Sequence, residues 1–339
     1  MSRPTFAILS TQNLIHNIKV IRQKVGNAKI VAMVKANGYG HGIKSTALIL
    51  DNEIDLFGVA SIDEALELRE AGVKSPILLA QGIFEENELS IAANQNFHIT
   101  FHNTTQVEWL LKNRLPAPIH AWIKINTGMC RLGFNMDIAN SMYEKLKNHQ
   151  QVSSIKIMAH FACANNSEHP LNKNQIKLFQ EFTKDKKIEL SICNSAAIIN
   201  FPELHHDYVR PGISIYGGAP IDGVPAKDLG LKPVMTLQTE LMSMQIMPKG
   251  SYIGYNARYQ CDENMPIGIA ACGYGDGYSV SAKDGTPVLV NDIKCSVVGR
   301  VSMDMIAIDL RNNPSAKVGD KVTLWGDNLP IEEVAKSYK

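Results

Sequence analysis

A lysine at position 35 directly follows the apolar run Ile30-Val31-Ala32-Met33-Val34 and directly precedes Ala36-Asn37-Gly38-Tyr39-Gly40-His41-Gly42. The run is too short for a helix of its own and has the composition of a buried strand. A lysine at the tip of such a strand, with a glycine-rich turn after it, sets one amine at the mouth of a sheet or barrel. Burial there disfavours the ammonium form, and a neutral amine is the nucleophile of Schiff-base chemistry. Other groups of chemical interest stand in comparable places. Arg131 lies in Trp122-Ile123-Lys124-Ile125-Asn126-Thr127-Gly128-Met129-Cys130-Arg131-Leu132-Gly133, and His160 ends an apolar run. Asn194-Ser195-Ala196 offers a hydroxyl and backbone N–H groups at an expected helix start, a natural phosphate site, although Ser195 would serve equally as a plain helix cap. In Val209-Arg210-Pro211-Gly212-Ile213, Gly212 permits close backbone approach, and the amides of Gly212 and Ile213 can donate to a phosphate.

These residues need elements to position them. Residues 11–25 place Leu14, Ile18, Ile21 and Val25 on one helical stripe, with Ser10 or Thr11 as its cap. A helix is expected near 43–51, and Ser61 with Glu64 three residues on forms a capping box for another, which Gly72 closes. Strands are expected at 30–34, 56–59, 77–80, 98–101, 119–125, 155–160, 189–193 and 213–216. Eight strands separated by crossovers over this length suit a (β/α)8 barrel, which takes roughly 250 residues. A doubly wound open sheet has similar periodicity. The placement of Lys35, Arg131, His160, Ser195 and Arg210 at or beyond the C-terminal ends of the strands favours the barrel, because that is the face on which barrels build active sites. From about residue 231 the pattern changes to short strands punctuated by Gly, Pro, Asn and Asp. Pro233–Met247 alternates apolar and polar residues, with a parity shift near Leu241-Met242 that predicts a bulge. The expected organisation is therefore an α/β chain, an N-terminal (β/α)8 TIM-type barrel over residues 1–230 and a mainly-β domain over 231–339.

Composition excludes several classes. Net charge is +1, from 34 basic and 33 acidic residues, and no basic block occurs, so neither nucleic acid nor an anionic membrane is an expected partner. The first residues lack the apolar core of a signal peptide, and no apolar stretch approaches a membrane span, so a cytoplasmic location is expected. The six cysteines form no C-x-x-C pair. Reduced thiols are expected rather than a disulfide framework or a metal site.

The lysine segment resembles the pyridoxal 5'-phosphate (PLP) attachment segment of the alanine racemases, and the likeness extends along nearly the whole chain. The resemblance implies that Lys35 carries PLP as a Schiff base and is one of two catalytic bases, and that Tyr39 hydrogen-bonds the cofactor phosphate. Ser195, Gly212 and Ile213 would bind the same phosphate. Arg131 would grip the substrate carboxylate and the cofactor's phenolic oxygen, with Lys124 a candidate for carbamylation that orients it. His160 would lie near the pyridine ring, and Arg210 would face the pyridine nitrogen. Because arginine can only donate, that nitrogen should stay unprotonated, which favours racemisation over transamination.

In the β domain, Gly254-Tyr255-Asn256-Ala257-Arg258-Tyr259 is similar to the segment bearing the family's second base, Tyr255. Asn256 stands where the family generally has glycine, a mild departure because asparagine tolerates a left-handed backbone. An ordinary phenol is a weak base at neutral pH. A hydrogen-bond chain from Tyr255 through His160 to Arg210 would favour its phenolate. Gly273–Tyr278 resembles the family's gateway loop, with Tyr274 lining the entrance, and Gly299–Asp304 resembles the motif whose Met303 amide contacts the substrate carboxylate. The family pattern continues by about another helix and strand with a further phosphate-binding tyrosine, so this chain is expected to lack that tail.

The implied activity is interconversion of L- and D-alanine in a homodimer with shared sites, supplying D-alanine for peptidoglycan. A racemase of broader specificity, for serine among others, remains an alternative reading. A non-catalytic PLP-binding protein is disfavoured by Tyr255, since a carrier needs no second base. A nicotinamide-dependent oxidoreductase has only the glycine-rich loop at 273–277 in its favour, without the GxGxxG spacing.

Overall fold

The computed structural model describes residues 3–338, so the outermost ends of the two expected domains, residues 1, 2 and 339, lie outside the described residues. The described residues divide into two compact units, one of Thr11–Lys232 and one in which residues 3–10 join residues 233–338.

In the first unit eight parallel strands run Lys29–Met33, Leu56–Val59, Ile77–Leu79, His98–Phe101, Ile119–Lys124, Val152–Met158, Glu189–Ser191 and Tyr208–Val209. Each of the first seven pairs with the next, and the eighth pairs back onto the first. The amide of Asp207 donates to Leu190 O at 3.2 Å and that of Arg210 to Cys193 O at 2.9 Å, which closes the ring between the seventh and eighth strands. The TIM-type barrel is therefore present, with one correction. Ile213–Tyr216, expected as the eighth strand, is a 3-10 turn between Gly212 and the left-handed Gly217, and the short Tyr208–Val209 takes its place.

Inward-facing side chains such as Val31, Leu78, Trp122 and Met158 fill the interior. Helix Thr11–Val25 buries Leu14, Ile18, Ile21 and Val25, the stripe its spacing predicts. At the N-terminal end of the barrel the polar residues are of another kind. Lys156, 4 % exposed, pairs with Glu189 at 3.2 Å, and the rings of His98 and His120 lie tilted against each other with centroids 4.3 Å apart.

The capping box expected at Ser61 is half formed. Ser61 Oγ accepts the Glu64 amide, but the Glu64 carboxylate accepts from the amides of Ala60 and Ala36, outside the box.

The second unit is built on a seven-stranded antiparallel sheet. Its long strand, Met235–Met247, shifts register between Leu241 and Ser243, where the parity of the sequence changes. Strand Phe6–Leu9 pairs antiparallel with Leu9 opposite Met235, so residues 3–10 fold with the β unit rather than with the barrel to which sequence order assigns them.

Candidate active site

Lys35 opens a turn of unusual handedness. Ala36, Asn37, Gly38 and Tyr39 all have φ between 53° and 63°, consecutive left-handed residues directly after the first barrel strand. Left-handed backbone costs an L-residue roughly 1–2 kcal/mol, so the turn must be over-determined by its surroundings. Asn37 Oδ1 accepts the Ile43 amide at 2.9 Å, and the Gly38 amide donates to Val34 O at 2.8 Å. Tyr39 stacks on Tyr216 with centroids 5.0 Å apart, and the Tyr216 hydroxyl donates to Met33 O. The chain thus holds the residue after the strand tip, and the tyrosine four residues on, in one fixed arrangement.

The turn borders a cavity of about 670 Å³ at the C-terminal ends of the strands. Lys35, Tyr39, Lys124, Arg131, His160, Ser195, Arg210, Gly212 and Ile213, nine residues singled out from the sequence, all line it. Four of them are cationic or basic (Lys35, Lys124, Arg131, Arg210), and no carboxylate lines the cavity among the described residues. Arg210, 4 % exposed, donates to Ser191 Oγ, Ala159 O and Ile192 O, all neutral acceptors. Its guanidinium pKa falls to about 10 through burial, which leaves it charged at neutral pH. The amine of Lys124, a residue 6 % exposed, has no hydrogen-bond or ion-pair partner among the described residues. Burial, then Arg210, Arg131 and Lys35, push its amine down to about 8. Burial and Arg131 also lower Lys35, against an opposing pull from Glu64. A site with this charge balance is suited to an anion.

His160 stands 3.4 Å from Arg210, Nδ1 to Nη2. Burial and then Arg210 and Lys124 hold its pKa well below the ordinary value, so the ring is neutral. With Nδ1 facing a donor that is always charged, the remaining proton belongs on Nε2. The backbone around His160 is fixed by Gln175, a fully buried residue of helix Pro170–Thr183. Gln175 Nε2 donates to His160 O at 2.9 Å and to Thr127 Oγ1 at 3.1 Å, and Oε1 accepts the Ala162 amide.

Ser195 is the first residue of helix Ser195–Asn200, whose cap is Asn194 through its bond to the Ala197 amide, so the plain capping role falls to the neighbour. Ser195 Oγ instead accepts the Gly212 amide at 2.8 Å. A Cβ on residue 212 would meet Tyr39 Oη at 2.3 Å, so only glycine leaves the Tyr39 hydroxyl beside the Ser195–Gly212 backbone. One hydroxyl from the left-handed turn, one from Ser195 and the backbone of Gly212 and Ile213 converge there. With the Gly212 amide bonded to Ser195 Oγ, the Tyr39 and Ser195 hydroxyls and the Ile213 amide are the donors this place can offer an anion.

The β unit gathers the other three sequence-predicted residues. Tyr255, in a 3-10 turn, is 65 % exposed; Tyr274 and Met303 are exposed as well. The loop carrying Tyr274 packs on that carrying Met303: the amides of Tyr274 and Gly275 donate to Ser302 O and Met303 O at 3.0 and 2.8 Å. Tyr255 and Tyr274 line one shallow cavity with Arg300. Gly273–Tyr278 follows an antiparallel strand and is closed on itself by Asp276, whose carboxylate accepts the Gly273 amide, so it is no dinucleotide loop.

Three supporting residues were not evident from sequence. Gln175 carries a weak signal, a polar residue in the buried stripe of its helix. Tyr216 and Glu64 carry none, since each satisfies a local pattern of another kind.

A parallel barrel whose strand ends gather a buried arginine, three further basic groups and a glycine-backed turn belongs to the class of barrels with a cationic pocket at the C-terminal ends of their strands, suited to an anionic ligand. Residues 9–220 match the family description "Alanine racemase, N-terminal domain" and residues 234–339 "Alanine racemase, C-terminal domain". The chain belongs to the alanine racemase family. It is 44% identical over 338 residues to an alanine racemase of Legionella pneumophila (strain Lens), covering 99% of this chain and 95% of that one. With an alanine racemase of Haemophilus influenzae it shares 42% over 335 residues, 98% and 93% of the two chains. Among solved structures, the biosynthetic alanine racemase of Pseudomonas aeruginosa superposes with a TM-score of 0.96 at 37% identity over 99% of this chain and 94% of that one. The alanine racemase of Acinetobacter baumannii gives 0.93 at 39%, covering 99% and 94%.

Proposed function

We propose that this protein is a PLP-dependent alanine racemase that interconverts L- and D-alanine by a two-base mechanism and supplies D-alanine for peptidoglycan. The observation that carries the reading is the cavity itself, where Lys35, with its amine pKa lowered, shares one site with the Tyr39–Ser195–Gly212 cradle and Arg210. Full-length similarity to alanine racemases supports the same reading.

The residues present fit PLP. The cradle offers the Tyr39 and Ser195 hydroxyls and the Ile213 amide to a phosphate, with the Gly212 amide held by Ser195 Oγ; Lys35 offers an amine to a carbonyl, and the charged Arg210 offers donors and no acceptor. When bound, PLP withdraws electrons from the substrate Cα and so acidifies its C–H bond. Arg210 has only N–H groups to offer, so facing the pyridine nitrogen it would keep that nitrogen unprotonated, limit the withdrawal and favour return of a proton to Cα. Arg131 binds the substrate carboxylate, together with the Met303 amide, and Tyr274 guards the entrance.

Lys35 Nζ would hold the cofactor, and its free amine would move the proton on one face of Cα. Tyr255 Oη serves the opposite face. His160 is neutral and donates from Nε2, so it stabilises a phenolate at Tyr255 while Arg210 fixes its tautomer. The exposure of Tyr255, Tyr274 and Met303 on the β unit supports a homodimer in which each copy lends these residues to the barrel of the other. Lys124 as a carbamate would place a negative charge among Arg131, Arg210 and Lys35: its neutral amine adds to CO2 and releases one proton. The lowered pKa of Lys124 and its lack of any partner support that modification.

No described helix is long and apolar enough to cross a membrane, which accords with a cytoplasmic enzyme acting on a small amino acid. The test is enantiomer-resolved analysis of the purified protein with PLP and L-alanine. D-alanine should accumulate to near equality with the L form. Turnover of serine in preference to alanine would favour the broader-specificity reading.

A further inference from the structure

Glu64 stands at the third position of helix Ile62–Glu70, where a glutamate ordinarily turns back to its own cap residue. Here it turns away. Oε1 accepts the amide of Ala36 and Oε2 the amide of Ala60, each at 2.7 Å. Ala36 is the first left-handed residue and the one bonded directly to Lys35, while Ala60 follows the neighbouring barrel strand Leu56–Val59. One carboxylate therefore joins the tips of two adjacent parallel strands, whose register sets Met33 beside Gly58. Two amides need two acceptor oxygens on one rigid group, which a carboxylate supplies and a primary amide does not.

We propose that Glu64 is a positioning residue for Lys35: it clamps the start of the left-handed turn to the loop after the next strand and so fixes the direction in which the lysine leaves the barrel rim. This rests on the reading of Lys35 as the cofactor-binding amine. Glu64 also acts through charge, since its carboxylate favours the protonated lysine against burial and Arg131.

The test uses the full chain freed of cofactor, as wild type, Glu64→Gln, Glu64→Asp, Ser61→Ala and Lys35→Ala. Each is mixed with PLP, and the absorption of the lysine-bound cofactor is followed across pH. Hydrogen exchange of the segment 33–40 is measured without cofactor. In Glu64→Gln the limiting capture rate should fall about tenfold or more, its pH midpoint should move down, and exchange at Ala36 should accelerate. Glu64→Asp keeps the charge but is too short to reach both amides, so it should slow capture without moving the midpoint. Ser61→Ala weakens the same helix at its cap and should leave capture unchanged. Wild-type capture and exchange in both Glu64 variants would overturn the proposal, as would equal slowing by Ser61→Ala. Appearance of the band in Lys35→Ala would instead overturn the lysine assignment itself.

Discussion

The hydroxyl of Tyr39 fills the space that a side chain on residue 212 would need, with an ideal Cβ there only 2.3 Å from Tyr39 Oη. The tyrosine cannot swing aside freely, because it belongs to a left-handed turn and stacks on Tyr216. Two segments far apart in sequence thus meet in close contact beside Ser195, where the proposed phosphate site lies.

Gly212→Ala should displace the Tyr39 ring and weaken PLP binding by about 1–3 kcal/mol, roughly ten- to a hundredfold. In a Tyr39→Phe background the same substitution should cost less, since the closest clash has been removed. A PLP binding isotherm for the four proteins of this double-mutant cycle checks it, and strict additivity would contradict the coupling.

Much of this site was legible in the sequence, and the failures have physical causes. The Lys35 strand and the bulge at Leu241/Ser243 followed from apolar runs and parity, whereas the nine cavity residues were brought together by the resemblance to the alanine racemases, which alone pointed to Tyr39 and Lys124. Ile213–Tyr216 has strand composition, but Gly212 and the left-handed Gly217 bracket it and let it coil. The true eighth strand has two residues, too few to leave a periodic signal. Phe6–Leu9 pairs with a strand more than two hundred residues away, which no local pattern encodes. Glu64 illustrates the same limit, since its spacing from Ser61 already satisfied a capping box.

Lys124 should make activity depend on dissolved CO2. With its amine near 8, the neutral form that reacts with CO2 becomes dominant above that pH. Activity measured in CO2-depleted buffer should drop and should recover on adding bicarbonate, most fully on the alkaline side. Lys124→Ala should abolish the response, and a small carboxylic acid should partly restore its rate. A wild-type protein indifferent to CO2 would contradict the carbamate.

His98 should contribute to acid unfolding. Burial, then His120, Lys156 and Lys29, lower its pKa to about 3, while Trp122 Nε1 donates to its Nδ1 at 3.1 Å. Between about pH 6.5 and 3 the unfolded chain therefore binds a proton there that the folded chain refuses, so stability falls as pH drops through this window. His98→Asn keeps an acceptor for Trp122 and should reduce the slope of unfolding free energy against pH by about one proton. Urea titrations at several pH values measure that slope.

Lys35 and Tyr255 should complement each other between chains. Lys35→Ala and Tyr255→Phe homodimers should each lose most activity, yet co-refolded mixtures should regain up to one intact site per heterodimer. Absence of recovery, with heterodimers shown to form, would contradict sites shared between copies.

The central claim, that Lys35 and Tyr255 move the proton at Cα of alanine, is tested most directly by incubating each alanine enantiomer in deuterated water with wild type, Lys35→Ala and Tyr255→Phe. Wild type should label both enantiomers and racemise both. Tyr255→Phe should retain bound PLP and suppress exchange from one enantiomer far more than from the other, while Lys35→Ala should do neither chemistry. Equal, mild effects of Tyr255→Phe on both enantiomers, or full racemisation by Lys35→Ala, would contradict the account.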